Sequence, residues 1–165
     1  MANTPGATNH AVAELALTLM LNCAKHLGDV ITGVRAGRWP HTAGVELRGT
    51  TLGVIGYRPS GKAIAAIGAA LNMHVVVGTS HPDAEAAQSI DFTDVDTMIA
   101  AADYLTLHAR ATGTQTIGAD RLAATKDTAF PINTARRSLI DETALVEALE
   151  KKQIAGAAAS ESHHA

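Results

Sequence analysis

Asn133-Thr134-Ala135-Arg136 sets an arginine just beyond an apolar run, where a side chain can meet a small ligand. A guanidinium presents a rigid fork of donors and matches a carboxylate bidentately. The alternative for Arg136 is a surface charge flanking a helix. A second arrangement is Gly56-Tyr57-Arg58-Pro59-Ser60-Gly61, between the apolar run Thr51-Leu52-Gly53-Val54-Ile55 and a helical pattern. A turn of this kind aims helix N–H groups, and the positive end of the helix dipole, at a phosphate. Its spacing suits the dinucleotide fingerprint G-x-G-x-x-G, with Arg58 in place of the middle glycine. Arg58 either obstructs the backbone's approach to a pyrophosphate or grips the phosphate itself. Pro59 is acceptable at a helix start.

The fingerprint expects an acidic residue for the ribose roughly 20 residues after the glycines. Gly78-Thr79-Ser80-His81 falls there without a carboxylate, and Asp83 comes later, beyond Pro82. Thr79 and Ser80 offer hydroxyls to a ribose or a 2′-phosphate, or they form an ordinary turn. No arginine adjoins them, so NAD and NADP both remain open. His108 follows the third apolar run, where a lone histidine more often packs or is solvated. His163 and His164 lie in a polar tail with no carboxylate or cysteine partner, and they read as solvated. No metal site is expected. Cys23 is the single cysteine, so an internal disulfide is excluded, and it reads as a small buried hydrophobe.

These residues need a scaffold. The 165 residues suit one domain over 1–165, divided into an N-terminal crossover helix and loop (1–46), a core (47–160) and a tail (161–165). Apolar runs predict strands at 51–55, 74–78, 104–107, 129–133 and 154–159. Helices are expected at 60–71, 95–102, 120–124 and 141–151. This alternation implies an α/β fold: a Rossmann-type, doubly wound parallel sheet in three α/β/α layers. Ligands of such sheets bind at the C-terminal strand ends, which directs Arg136 toward a bound substrate. Pro131 falls in the fourth strand, where a central strand would lose a ladder hydrogen bond.

Ahead of the core, Asn3-Thr4-Pro5-Gly6 reads as a turn. From Asn9 to about Ile31 apolar residues recur at helical spacing: Val12, Leu15, Ala16, Leu19, Cys23, Leu27 and Val30. Leu17, Met20 and Leu21 widen the surface, so this helix must be covered on more than one side, in the core or at a subunit interface. The stretch 35–49 reads as a surface connection around Trp39, which either meets a partner surface or folds back.

Bulk properties narrow the partners. The formal net charge of −3 implies no broad cationic surface, which disfavours nucleic acid and acidic membrane. Hydrophobic residues make up 47% but aromatics only 3%, which suits close helix-on-sheet packing. Met1 to Gly6 is short and polar, with no secretory leader expected. No apolar run is long enough to span a bilayer. A cytoplasmic protein is the expectation.

Several stretches together resemble the D-isomer-specific 2-hydroxyacid dehydrogenases. They are Asn3-Thr4-Pro5-Gly6, Ala11 to Ala16, Arg35-Ala36-Gly37-Arg38-Trp39, Leu47 to Gly56, Ala101 to His108, and Asn133-Thr134-Ala135-Arg136 with Leu139 to Glu142 and Ala144 to Leu149. Ile154 to Ala158 closes the series, which covers nearly the whole chain in order. The resemblance implies hydride transfer between NAD, or NADP, and C2 of a small 2-hydroxy or 2-oxo acid. It implies Arg136 on the substrate carboxylate and carbonyl, and Thr134 and Ala135 near the nicotinamide, with His108 also at the cofactor. Gly56, Arg58, Pro59, Ser60 and Gly61 would face the pyrophosphate, and Thr79 the ribose. Ser160 stands where the family has an Asp that contacts the carboxamide. The resemblance also implies a homodimer through the helix 11–27 and Trp39. Arg110 replaces a family proline, and Arg137 and Ser138 replace two glycines. The family's catalytic Glu and acid/base His have no match in Glu161 to Ala165, and the family's substrate domain is expected to be absent. Loss of a positioned acid/base lowers rates by about 10²–10⁴-fold.

Overall fold

The computed structural model describes residues 8–79, 81–83, 85–88, 90–110 and 115–160. The expectations for Asn3 to Gly6, Ser80, His163, His164 and the tail 161–165 lie outside the described residues.

The described residues build a six-stranded, wholly parallel sheet in the order β3-β2-β1-β4-β5-β6. The strands are β1 (Thr51–Ile55), β2 (His74–Gly78), β3 (Asp91–Thr93), β4 (Tyr104–Leu107), β5 (Phe130–Asn133) and β6 (Ala158–Ala159). The helices are α1 (Asn9–Lys25), α2 (Leu27–Arg35), α3 (Pro59–Ala70), α4 (Val95–Ala101), α5 (Ala119–Ala124) and α6 (Glu142–Glu150). The chain winds outward from β1 to β3, then returns to the other side of β1 to lay down β4. The strand order therefore reverses between β1 and β4, and such a switch point opens a crevice at the strand ends.

Side-chain alternation sorts the core into two halves. Leu52, Val54, Val75, Val77, Tyr104 and Ile132 face α1 and α3 with Ala13, Ala16, Met20, Ile64 and Ala65. Ile55, Val76, Leu105 and Leu107 face the opposite layer with Met98, Ile99, Leu122 and Ala148. Small alanines on α1 and α3 let these helices lie close to the sheet and to each other. The predicted three-layer doubly wound fold is the fold observed.

Three expectations need correction. The helix expected from Asn9 to about Ile31, and with it the single interface helix 11–27, is broken at His26. That residue takes a left-handed conformation (φ 51°), and its N–H caps the carbonyls of Asn22 and Cys23. His is among the side chains that tolerate this region, and a left-handed residue ends a helix whatever the apolar spacing says. The chain resumes at once as α2, which extends to Arg35.

β3 was not expected. Its three residues are too few for periodicity to register, and it is an edge strand paired only with β2. The last strand, expected over 154–159, is reduced to Ala158–Ala159. Pro131 is accommodated by register. The Phe130 N–H donates to the Asp103 carbonyl on the β4 side. In a parallel ladder the next residue's N–H would point to the other side, where β6 pairs only from Ile132 onward.

Candidate functional site

The site is built on the C-terminal edges of β1, β4 and β5. β1 ends at Ile55, and Gly56 turns the chain with φ 89°, a region that favours glycine. A Cβ on Gly56 would sit 3.0 Å from the Ala109 backbone nitrogen. A Cβ on Gly61 would sit 2.1 Å from the Gly56 carbonyl oxygen. Both glycines are thus required by backbone contact, and the second lets α3 start directly over the turn.

α3 begins with Arg58 at its N-cap in extended backbone and Pro59 in its first turn, with no side-chain cap. The helix leaves the first-turn N–H groups of Ser60 and Gly61 without a partner of its own, facing out of the crevice edge with the positive dipole end. Arg58 is exposed. Among the described residues no hydrogen bond or ion pair holds its guanidinium.

His108 and Thr134 continue β4 and β5 into the same edge. Both are buried. The His108 ring packs with its Nε2 3.0 Å from the Thr106 hydroxyl. Among the described residues its Nδ1 has no hydrogen-bond partner, and neither does the Thr134 hydroxyl. Burial pushes the His108 pKa down to about 4, because desolvation penalises the imidazolium. The ring is therefore neutral at pH 7. Buried polar atoms almost always find partners, so two orphans at adjacent strand ends mark a place where a polar ligand fits.

The Arg136 loop is held differently. The Asn133 side chain accepts from the Ala135 N–H at 3.1 Å and donates to the Arg136 carbonyl at 2.7 Å. The Asn133 backbone carbonyl takes the Ser160 N–H at 3.1 Å, tying the half-buried Ser160 to the loop. Arg136 is exposed, and its guanidinium donates to the Ala135 carbonyl at 2.9 Å, which leaves further donors available. Arg137 pairs with Glu142 through two hydrogen bonds.

At the exit of β2 the Thr79 hydroxyl accepts from the His81 N–H at 3.1 Å, a local Ser/Thr turn. Residue spacing alone missed what happens beside it. Lys62, in the first turn of α3, reaches Asp83 at 2.6 Å. Its ammonium also lies 5.3 Å from the centre of the Tyr57 ring, and that ring meets Phe92 edge-on. Asp83 had been set aside as lying beyond Pro82. The available signal was a cation one residue past Gly61 and an anion just past β2, two elements that a parallel sheet places side by side. Asn133 was likewise read only as part of a signature, not as the residue that shapes the loop.

The fold, the glycine-closed turn and the uncapped helix define a dinucleotide-binding domain. Comparison with known proteins makes this specific. Residues 17–160 match the family described as D-isomer specific 2-hydroxyacid dehydrogenase, NAD binding domain, and the chain belongs to that family. It is 36% identical over 150 residues to a hydroxypyruvate reductase of Thermotoga maritima, covering 88% of this chain and 48% of that one. It is 32% identical to a glyoxylate reductase of Thermococcus litoralis, covering 94% of this chain and 51% of the relative. Among solved structures it is similar to a glyoxylate reductase from Paecilomyes thermophila, with TM-score 0.87, 34% identity and coverage of 94% and 49%. It is also similar to a D-lactate dehydrogenase with NAD+ from Lactobacillus jensenii, with TM-score 0.86, 31% identity and coverage of 95% and 49%. The chain spans about half the length of the relatives it matches.

NAD is the cofactor of this domain family, and the residues present fit it. The turn is closed by glycine, and at the same edge the His108 Nδ1 and the Thr134 hydroxyl are buried without a hydrogen-bond partner among the described residues, free for a polar ligand.

Proposed function

We propose that this chain is the nucleotide-binding half of an NAD(P)-dependent D-2-hydroxyacid dehydrogenase acting on a small 2-hydroxy or 2-oxo acid. The observation that carries the proposal is the pair of buried, unpartnered polar atoms of His108 and Thr134 beside the glycine-closed turn. In this reading Gly56, Arg58, Pro59, Ser60 and Gly61 take the pyrophosphate. Thr79 stands at the ribose. His108, Thr134, Ala135 and Ser160 surround the nicotinamide end. NAD, when bound, supplies the hydride exchange with C2 of the acid.

Arg136 binds and orients the acid. Its exposed fork engages the carboxylate, and Asn133 fixes the backbone from which it projects. His108 is not poised as an acid for the transferred proton, because burial lowers its pKa to about 4 and leaves the ring as neutral imidazole at pH 7. Arg58 grips phosphate in this reading: it is exposed, unstrained and uncommitted.

A second reading, a non-catalytic nucleotide-binding or dimerisation module, is favoured by a specific surface. Leu15, Leu27, Ile31, Val34 and Val45 are exposed along α1, α2 and the following connection, with Trp39 78% exposed. An exposed apolar surface of this kind suits a second copy of the chain, with α1, α2 and Trp39 at its interface. A cytoplasmic setting accords with the composition, and no helix among the described residues is long and apolar enough to cross a membrane.

Titration of the purified chain with NADH and NADPH, read by fluorescence or calorimetry, tests the proposal. Binding is expected, and none at millimolar cofactor overturns it. Turnover of glyoxylate, hydroxypyruvate or pyruvate would make the chain an enzyme by itself; binding without turnover would support an intact nucleotide domain lacking catalysis. Arg58→Gly is expected to weaken binding, and tighter binding would show that Arg58 obstructs. Sedimentation as a pure monomer would remove the dimer.

A further inference from the structure

We infer that Thr106 is a positioning residue: its hydroxyl donates to the His108 Nε2, which places the ring proton on Nδ1 and makes that edge of the ring a neutral donor for an acceptor oxygen of the bound dinucleotide. The inference rests on the NAD-binding reading of the crevice.

The strand sets the contact. Thr106 and His108 are two residues apart at the end of β4, so their side chains leave the same face of the sheet. That face is the one covered by α3. A Cβ on Gly61, in the first turn of α3, would lie 3.4 Å from the His108 Cβ. The His108 backbone N–H donates to the Ile55 carbonyl at 2.8 Å, which anchors the residue beside the glycine turn. The ring Nε2 then lies 3.0 Å from the Thr106 hydroxyl oxygen.

The count of hydrogens gives this bond its direction. A neutral imidazole carries a proton on one nitrogen and a lone pair on the other. Thr106 is fully buried, and its cross-strand neighbours Val54 and Ile132 are aliphatic. Among the described residues the only partner of its hydroxyl is Nε2. With the proton on Nε2, the ring would donate to the hydroxyl oxygen, and the hydroxyl hydrogen would lie in the aliphatic core with no acceptor. With Thr106 as donor, that hydrogen is used and Nε2 is satisfied. A polar hydrogen buried without a partner is costly, so the second arrangement holds. It leaves one unspent group, the Nδ1–H, which has no partner among the described residues. That donor stands at the crevice edge, where it matches a phosphate or carbonyl oxygen and opposes another N–H.

Nitrogen-15 NMR of the histidine-labelled chain at pH 7 reads which ring nitrogen holds the proton, with the His108 signals assigned by their loss in His108→Gln. Protonation at Nδ1 is expected. A proton on Nε2 in a chain that binds NADH overturns this inference alone. NADH titration of the whole chain reads the consequence. Thr106→Val keeps the shape of the side chain but has no hydrogen to give, and NADH should bind about fivefold more weakly, as for one lost hydrogen bond. Thr106→Ser keeps the hydroxyl and should retain both the tautomer and the parental affinity. A Thr106→Val chain that is less stable in urea yet binds NADH as the parent does would give Thr106 a structural role only, and would overturn the inference. Should Thr106→Val fail to fold, the tautomer of the parent still decides. A parent that binds no NADH overturns the NAD reading, and this inference with it.

Discussion

The β1–α3 turn and the exit of β5 sit on the same edge of the sheet but are held by different forces. The turn is fixed by exclusion. Gly61 lies so close to the Gly56 carbonyl that no side chain fits, and Gly56 needs a positive φ against Ala109. The β5 exit is fixed by attraction. Asn133 spans the loop with two side-chain hydrogen bonds to a half-buried Ala135 and an exposed Arg136. Steric exclusion sets a geometry that a ligand must accept. Hydrogen bonds worth about 1 kcal/mol each set a geometry that a substrate can adjust. On the proposed reading the turn meets a pyrophosphate, the same in every dinucleotide, and the β5 exit meets an acid substrate, and the two modes of construction suit those demands.

Breaking the turn should have the largest effect. Gly61→Ala forces a methyl onto a backbone oxygen and is expected to destabilise the chain by about 3 kcal/mol or more, with loss of NADH binding. Urea denaturation and a cofactor titration measure both, and a loss below about 1 kcal/mol would contradict fixation by exclusion.

His108 packs against the same turn and adds a pH dependence. Its folded pKa of about 4 lies below the ordinary 6.5, so the unfolded chain binds the extra proton between those values. Stability is therefore full above pH 6.5 and falls as pH drops toward 4, by up to about 3 kcal/mol from this residue. Denaturation midpoints across that window should lose this slope in His108→Gln; an unchanged slope would show that His108 is not its source.

At the β5 exit Asn133→Ala should cost about 2 kcal/mol, because it leaves the Ala135 N–H and Arg136 carbonyl without their partner. Hydrogen exchange should accelerate at Ala135 and not within β1. Uniform acceleration across the sheet would mean that Asn133 supports the whole fold rather than the loop.

The smallest stability change is expected from Thr134→Val. It removes a buried hydroxyl that has no partner among the described residues and keeps the shape, so stability should change by less than about 1 kcal/mol, in either direction. Cofactor affinity should nonetheless fall. Unchanged affinity would remove Thr134 from the binding surface.

Much of the architecture was legible before the fold was known. Apolar runs at 51–55, 74–78 and 104–107 became strands at those positions, because buried parallel strands read as continuous aliphatic stretches. The glycine turn was legible because glycine spacing reports backbone geometry directly. His26 was not, since an apolar helical rhythm continues across it while one left-handed residue breaks the helix. β3 was not, because three edge residues carry too little pattern. The pairing of Lys62 with Asp83 was not, because those charges are neighbours only once β1 and β2 lie side by side.

The sequence by itself therefore determined the fold class, most of the alternation of strands and helices, the glycine turn and the family. These depend on local periodicity and on residues that act within one turn of chain. Tertiary structure alone decided which groups share the crevice edge. It buried the His108 Nδ1 and the Thr134 hydroxyl without partners among the described residues, shaped the Arg136 loop around Asn133, and brought Asp83 to Lys62. Those outcomes depend on contacts between segments that only sheet pairing makes adjacent, and on desolvation that exists only once the layers have closed.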